Sequence, residues 1–323
     1  MNRQLLNLLI QTALLVNLAA CGSQPGPPST LIPTTGVVTA QAQIPAQTQL
    51  VTQASPTVTP AVRQNGSPEP ISGSYQFTEG PAVDSSGNVF FSDVNTGKIY
   101  QWAPTGTVTV FLSGLNRPNG LAFDPNGLLI ACEGGSGRLI SIDKQGQVTV
   151  LAAEYNGVRF NEPNDLWIDP QGGIYFSDPA YQAGVAQAGE DIYYLNPKRS
   201  QILRVIDDLV RPNGLVGTAD GKILYVADHG AGKTYAYSIQ PDGTLSGKRL
   251  FSSSGSDGLE LDPSGNLYLT TPNQVLVLDA TGKTQFTIPL QENPTNLAFA
   301  GPDRRTLFIT ARTKVYILEN FMP

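Results

Sequence analysis

The chain has 323 residues, of which 40% are hydrophobic and only 14% charged, with 33 Gly and 25 Pro. So few charges exclude coiled coils and charge-striped helical proteins, and the Gly and Pro content favours an all-β protein rich in turns. A formal net charge of −6 argues against a phosphate-binding basic surface and so against nucleic acid, and two Cys with one His leave too few soft ligands for a Cys/His zinc site.

The first element in chain order is a signal peptide over residues 1–20. Met1–Arg3 is weakly positive, and Leu5–Ala20 is mostly apolar but shorter than the ~20 residues of a membrane span. Its end, Leu18-Ala19-Ala20-Cys21, resembles a bacterial lipobox. Lipidation at Cys21 makes the expected product an exported, membrane-anchored lipoprotein facing the periplasm or cell exterior. Cleavage near Ala20 with an unmodified Cys21 is the alternative. Residues 21–70 are rich in Pro, Thr and Gln and carry no aromatic residue, so they are expected to form a disordered tether. Cys132 is then a lone thiol, expected to be buried and inert.

Residues 71–323 repeat one unit. Glu79-Gly80-Pro81, Asn119-Gly120-Leu121, Asn164-Asp165-Leu166, Asn213-Gly214-Leu215, Asp257-Gly258-Leu259 and Thr295-Asn296-Leu297 recur at intervals of about 40 to 50 residues. A turn and a second apolar run follow each. One unit shows four strands, at Leu121–Asp124, Leu128–Glu133, Arg138–Asp143 and Gln147–Ala152, separated by turn residues such as Pro125-Asn126-Gly127. The last unit has three strands, ending at Val315–Glu319, and Ser74–Phe77 is expected to complete it. The fold predicted is an all-β, six-bladed β-propeller of four-stranded blades, its ring closed by N- and C-terminal strands.

In a propeller the first strand of each blade lines the axis. Glu79, Asn119, Asn164, Asn213, Asp257 and Thr295 therefore gather at one mouth of the channel. Such a ring of carboxylates and carboxamides suits a hard cation bound through oxygen, such as calcium. The ends of the second strands, Asp93, Glu133, Asp178 and Asp228, face the same way, with His229 just beyond one of them. Bland readings stand beside these: Asn-Gly also builds tight turns, exposed strand ends carry acids for solubility, and a lone histidine is often incidental. Tyr175, Tyr225 and Tyr268 read as core. The long loop Pro179–Glu190 either covers the mouth or is a surface insertion.

These residues carry a resemblance. Glu79-Gly80-Pro81, Arg117-Pro118-Asn119-Gly120-Leu121, Arg159-Phe160-Asn161-Glu162-Pro163-Asn164-Asp165, Tyr175-Phe176-Ser177-Asp178-Pro179, Arg211-Pro212-Asn213-Gly214-Leu215 and Asp257-Gly258 resemble, in order, the senescence marker protein (regucalcin)/gluconolactonase family. The resemblance implies a six-bladed propeller that is a lactonase, with a divalent cation, Ca2+ before Mg2+, Mn2+ or Zn2+, in the channel mouth. It implies Glu79, Asn213 and Asp257 as ligands, with Asn164 as ligand or substrate contact. Asp257 falls on the position with a proton-transfer role, and Arg159 on a substrate-contacting one. Asn119, Asp178 and His229 join Asn164 and Arg159 as candidate substrate contacts. The expected partner is a small-molecule lactone, and the expected state a monomer. A cation polarises the lactone carbonyl and Asp257 takes the water proton; with one histidine, a Ser-His or Cys-His nucleophile is not expected. A non-catalytic calcium-stabilised binding propeller, or an esterase acting on another ester, remains the alternative.

Overall fold

The structure, a computed structural model, describes residues 66–182 and 186–321. The expected signal peptide over residues 1–20, Cys21 and the expected tether up to residue 65 lie outside the described residues. The rest forms six antiparallel four-stranded sheets and one two-stranded ribbon, Glu154–Tyr155 with Val158–Arg159, between blades two and three. Each sheet is a blade, so the six-bladed propeller is as expected. The inner strands are Thr78–Val83, Pro118–Phe123, Leu166–Ile168, Pro212–Gly217, Leu259–Leu261 and Asn296–Ala300.

The sequence encodes the blades through a repeated turn at the end of the inner strands. Asp84, Asp124, Asp169 and Asp262 each accept two backbone N–H groups, from the second and fourth residues that follow. The third residue is a glycine with positive φ, at Gly87, Gly127, Gly172 and Gly265. Aspartate satisfies the turn amides and glycine takes the conformation that a Cβ resists. Apolar residues between blades then form the core. One interblade cluster holds Phe160, Phe176 and Tyr193, all fully buried, and burying a side chain of Phe or Leu size contributes about 1.5–3 kcal/mol. Tyr175, Tyr225 and Tyr268 are core residues, and Cys132 is buried with its thiol pushed well up by desolvation.

Ring closure differs from expectation in its details. The fourth strand of the last blade is Glu69–Pro70, with Glu69 opposite Ile317 and Pro70 opposite Tyr316. Compositionally these two residues belong to the tether. Pro70 is tolerated because the strand is an outer edge. Ser74–Phe77 instead forms the connection into the first inner strand, because the Asp93 carboxylate takes the Gln76 and Phe77 N–H groups (3.1 and 3.0 Å) that a strand would have paired. Thr78 and Thr295 complete the closure: Thr295 Oγ1 donates to Thr78 O at 2.8 Å, and Thr78 Oγ1 donates to Lys314 O at 2.9 Å.

Candidate active site

The Asn-Gly pairs are not turns. Asn119-Gly120 and Asn213-Gly214 lie inside inner strands, and neither Gly120 nor Gly214 has positive φ. Glycine is needed there for close approach. A Cβ on Gly120 would meet Asn164 O at 2.7 Å, and one on Gly214 would meet Asp257 O at 2.5 Å. In its place each glycine N–H donates to that same carbonyl, at 2.7 Å in both cases. The inner strands thus converge on the axis through their backbones. Pairing with the second strand also shifts register between Glu79 and Ala82, Pro118 and Leu121, and Pro212 and Leu215. Bulges of this kind re-aim side chains, and here they fall at Glu79, Asn119 and Asn213.

Asn213 organises the mouth. Its Nδ2 donates to Asp257 Oδ1 and to the Tyr181 hydroxyl, each at 2.6 Å. Glu79 is 4% exposed and accepts from Gly80 N at 3.1 Å. Desolvation, with the charges of Asp257 and Asp165 added, pushes its carboxyl well above the ordinary range. Desolvation also raises Asp257 to about 6, opposed by His229, the Asn213 hydrogen bond and Arg312. Burial and the same two carboxylates, Asp257 and Glu79, hold the Tyr181 phenol above its usual range. His229, exposed, places Nδ1 3.2 Å from Ser256 O, next to Asp257 in the chain. Asn164 is buried and Asn119 half-buried; among the described residues neither carboxamide has a hydrogen-bond partner.

Other candidates stand apart from this group. Arg159 is exposed, and its guanidinium donates to the carbonyls of Gly135, Ser136, Phe160 and Asn161, which ties the ribbon to the preceding blade. Asp178 is fully buried and accepts Asn161 N at 2.9 Å, while burial raises it to about 8. The second-strand acids share this role. Asp93 holds Gln76 and Phe77, Glu133 holds Asn116 and Asp228 holds Val210, each capping the loop that enters its own blade. They are buried supports of the mouth, neither its lining nor solubilising surface charges.

Sequence reading missed three participants. Tyr181 comes from the long loop, which does reach the mouth. Arg312 acts on Asp257 from the last blade. Asp165 follows Asn164 and is 7% exposed; it accepts from Leu166 N and from Asn296 Nδ2 (3.2 Å), and desolvation raises it to about 7. Asn161, which the resemblance offers beside Asn164 as a substrate-contacting asparagine, is 3% exposed and bonded to backbone groups. Its Nδ2 donates to Asp178 O and Gly189 O, and its Oδ1 accepts Ala186 N and Gln187 N. Asn161→Ala should cost about 2–4 kcal/mol, since four backbone groups lose a partner. Urea unfolding checks the loss, and faster proteolysis within 179–190 would locate it; an unchanged midpoint and cleavage pattern would contradict the role of Asn161.

The donor set fits a hard cation. Among the described residues no three His, Cys, Asp or Glu cluster in metal-binding range. Two carboxylates, Glu79 buried and Asp257 half-buried, are crowded enough to oppose ionisation, and with the neighbouring carboxamides they offer oxygen ligands to a divalent charge that would relieve them. A cavity of about 900 Å³ lies between the inner strands, with Asp165, Glu260 and Asn296 among its lining but not Glu79, Asn213, Asp257 or Tyr181.

These features define a six-bladed propeller with a cluster of oxygen donors at one axial mouth. The chain belongs to the family described as the SMP-30/gluconolactonase/LRE-like region, whose model matches residues 77–313. It is 29% identical over 289 residues to a gluconolactonase of Zymomonas mobilis subsp. mobilis, covering 76% of this chain and 79% of that protein. Among solved structures, a gluconolactonase from Xanthomonas campestris superimposes with a TM-score of 0.73 at 29% identity, covering 81% of this chain and 97% of that one. A calcium-binding protein, regucalcin, from Agrobacterium tumefaciens gives 0.66 at 20% identity over 78% of this chain and 94% of that one, a likeness of fold.

Proposed function

We propose that this protein hydrolyses a sugar lactone in the axial mouth. The observation that carries the proposal is the Asp257–Asn213 hydrogen bond beside buried Glu79. It sets a carboxylate of raised basicity among oxygen donors at the axial mouth. Relatives named gluconolactonase support the substrate class.

Glu79, Asn213 and Asp257, with Asn164, would hold a divalent cation, calcium being the best match to an all-oxygen set. When bound it supplies Lewis-acid polarisation of the lactone carbonyl and stabilisation of the developing oxyanion. The chain's own groups move the protons. Asp257 accepts a proton from water as the water oxygen bonds to the carbonyl carbon. When the ring C–O bond breaks, Asp257 returns that proton to the departing alkoxide, leaving a hydroxy acid. Asn213 fixes the carboxylate through its 2.6 Å hydrogen bond, and His229 stands close enough to favour the ionised form of Asp257. The signal and Cys21, if acylated, would hold the propeller at a membrane surface.

The test is acid release from a panel of aldonolactones, with calcium, magnesium, manganese or zinc and with chelator. Turnover that needs a divalent cation is expected. Chelation that lowers the melting temperature of a protein without turnover would favour a binding propeller instead. Glu79→Gln should raise the calcium concentration for half-maximal activity about tenfold or more, since one of two ligand charges is lost. An unchanged titration would count against Glu79 as a ligand.

A further inference from the structure

We propose that Tyr181 is a substrate-binding residue that reads the ring hydroxyls of a polyhydroxylated lactone, an assignment that rests on the lactonase reading of the axial mouth. Three features of its position carry the inference. Its hydroxyl is one carboxamide away from the proposed base: Asn213 Nδ2 lies 2.6 Å from it and 2.6 Å from Asp257 Oδ1. A molecule with its carbonyl beside Asp257 therefore has its remaining ring atoms within reach of the phenol. Second, the hydroxyl is an acceptor in that bond, and among the described residues it donates to nothing, so its proton is available to a ligand oxygen. Third, the residue is held ready. Its neighbours in the chain are pinned, Ala180 N to Glu190 Oε1 at 2.9 Å and Gln182 N to Glu162 Oε1 at 2.8 Å, and the other Glu190 oxygen takes Arg211 N at 2.9 Å. The Arg211 guanidinium lies 5.6 Å from the ring centroid. The residue nevertheless stays 41% exposed, so a ligand can reach it.

A preorganised donor beside the reacting centre discriminates by what the substrate offers it. Ring hydroxyls of a sugar lactone accept the hydrogen bond, and an unsubstituted lactone has none to give. Steady-state kinetics of Tyr181→Phe on D-glucono-δ-lactone and δ-valerolactone separate the cases. We expect kcat/KM for the gluconolactone to fall about tenfold, chiefly through KM, as for one lost hydrogen bond, and kcat/KM for the valerolactone to stay within about twofold. Equal losses on both would show a merely structural role, and no loss on either would show no role; each outcome overturns the assignment while leaving the lactonase reading intact. Absence of turnover of either lactone by the parent protein would overturn both.

Discussion

Asp257→Asn is expected to abolish lactone hydrolysis, lowering kcat by about 10³-fold or more, while the melting temperature stays within a few degrees. The carboxamide keeps the size of the side chain but cannot take a proton from water. General-base catalysis alone contributes about 10²–10⁴-fold, and loss of a charged ligand adds to it. The fold should tolerate the change because Asp257 is a half-buried axial residue in a crowd of like charges, so removing its charge relieves Glu79. Activity within a few-fold of the parent, at saturating calcium, would refute the role. Circular dichroism and a melting curve on the same preparation separate loss of chemistry from loss of fold.

The second large effect is on stability. Without added cation, the protein should be markedly less stable at pH 8 than at pH 5. Burial raises Asp165 from 3.8 to about 7 and Glu260 from 4.5 to about 7 in the folded chain, and Asp178 to about 8. The folded state therefore keeps protons that the unfolded chain releases from about pH 4 upward. Stability contributed by these groups is complete below that pH and is lost as pH rises through the folded values. The groups facing them do not cancel the effect. Asp165 meets the charge of Asp257 and the amide of Asn296, while Glu260 meets Asp165, Asp262 and Arg304, of which Arg304 alone is opposed in sign. The exposed carboxyls with lowered values, Asp220, Asp242 and Asp279, titrate below this window. At about 1.4 kcal/mol per unit before screening, a loss of a few kcal/mol is expected, or on the order of 10 °C in melting temperature. Calcium should recover more of that loss at pH 8 than at pH 5, because protons compete with it for the axial carboxylates. A melting temperature that is flat or rises from pH 5 to pH 8 in chelator would contradict the first expectation. Equal stabilisation by calcium at both pH values would contradict the second.

Much of the fold was legible because repetition carries it. Four of the six units restate the same Asp-x-x-Gly turn and all restate the apolar run, so a period can be read without knowing any contact. The axial position of Glu79, Asn119, Asn164, Asn213 and Asp257 follows from that period and from the fact that first strands line the axis. Roles were less legible than positions. Asn119-Gly120 is compatible with a turn until the Asn164 carbonyl of the next blade is seen 2.7 Å from the point where a Cβ would stand. Asp178 reads like a mouth residue by its place in the repeat, yet its surroundings make it a buried cap for Asn161. Sequence alone does not distinguish a carboxylate that faces a channel from one that turns to an adjacent amide, because both sit at the same strand end.

By itself, then, the sequence determined the class of fold, the number of blades, the face on which the acids gather and the family likeness, all of which depend on local pattern repeated along the chain. Tertiary structure decided which residues meet there. Asn213 joins Asp257 to Tyr181 across separations of 44 and 32 residues. The closing strand turned out to be Glu69–Pro70 rather than Ser74–Phe77. Both outcomes depend on hydrogen bonds between segments distant in the chain, where the Asp93 carboxylate or the Asn213 amide selects one partner among several of equal local propensity. No periodicity records that choice, since it is made by geometry once the ring has closed.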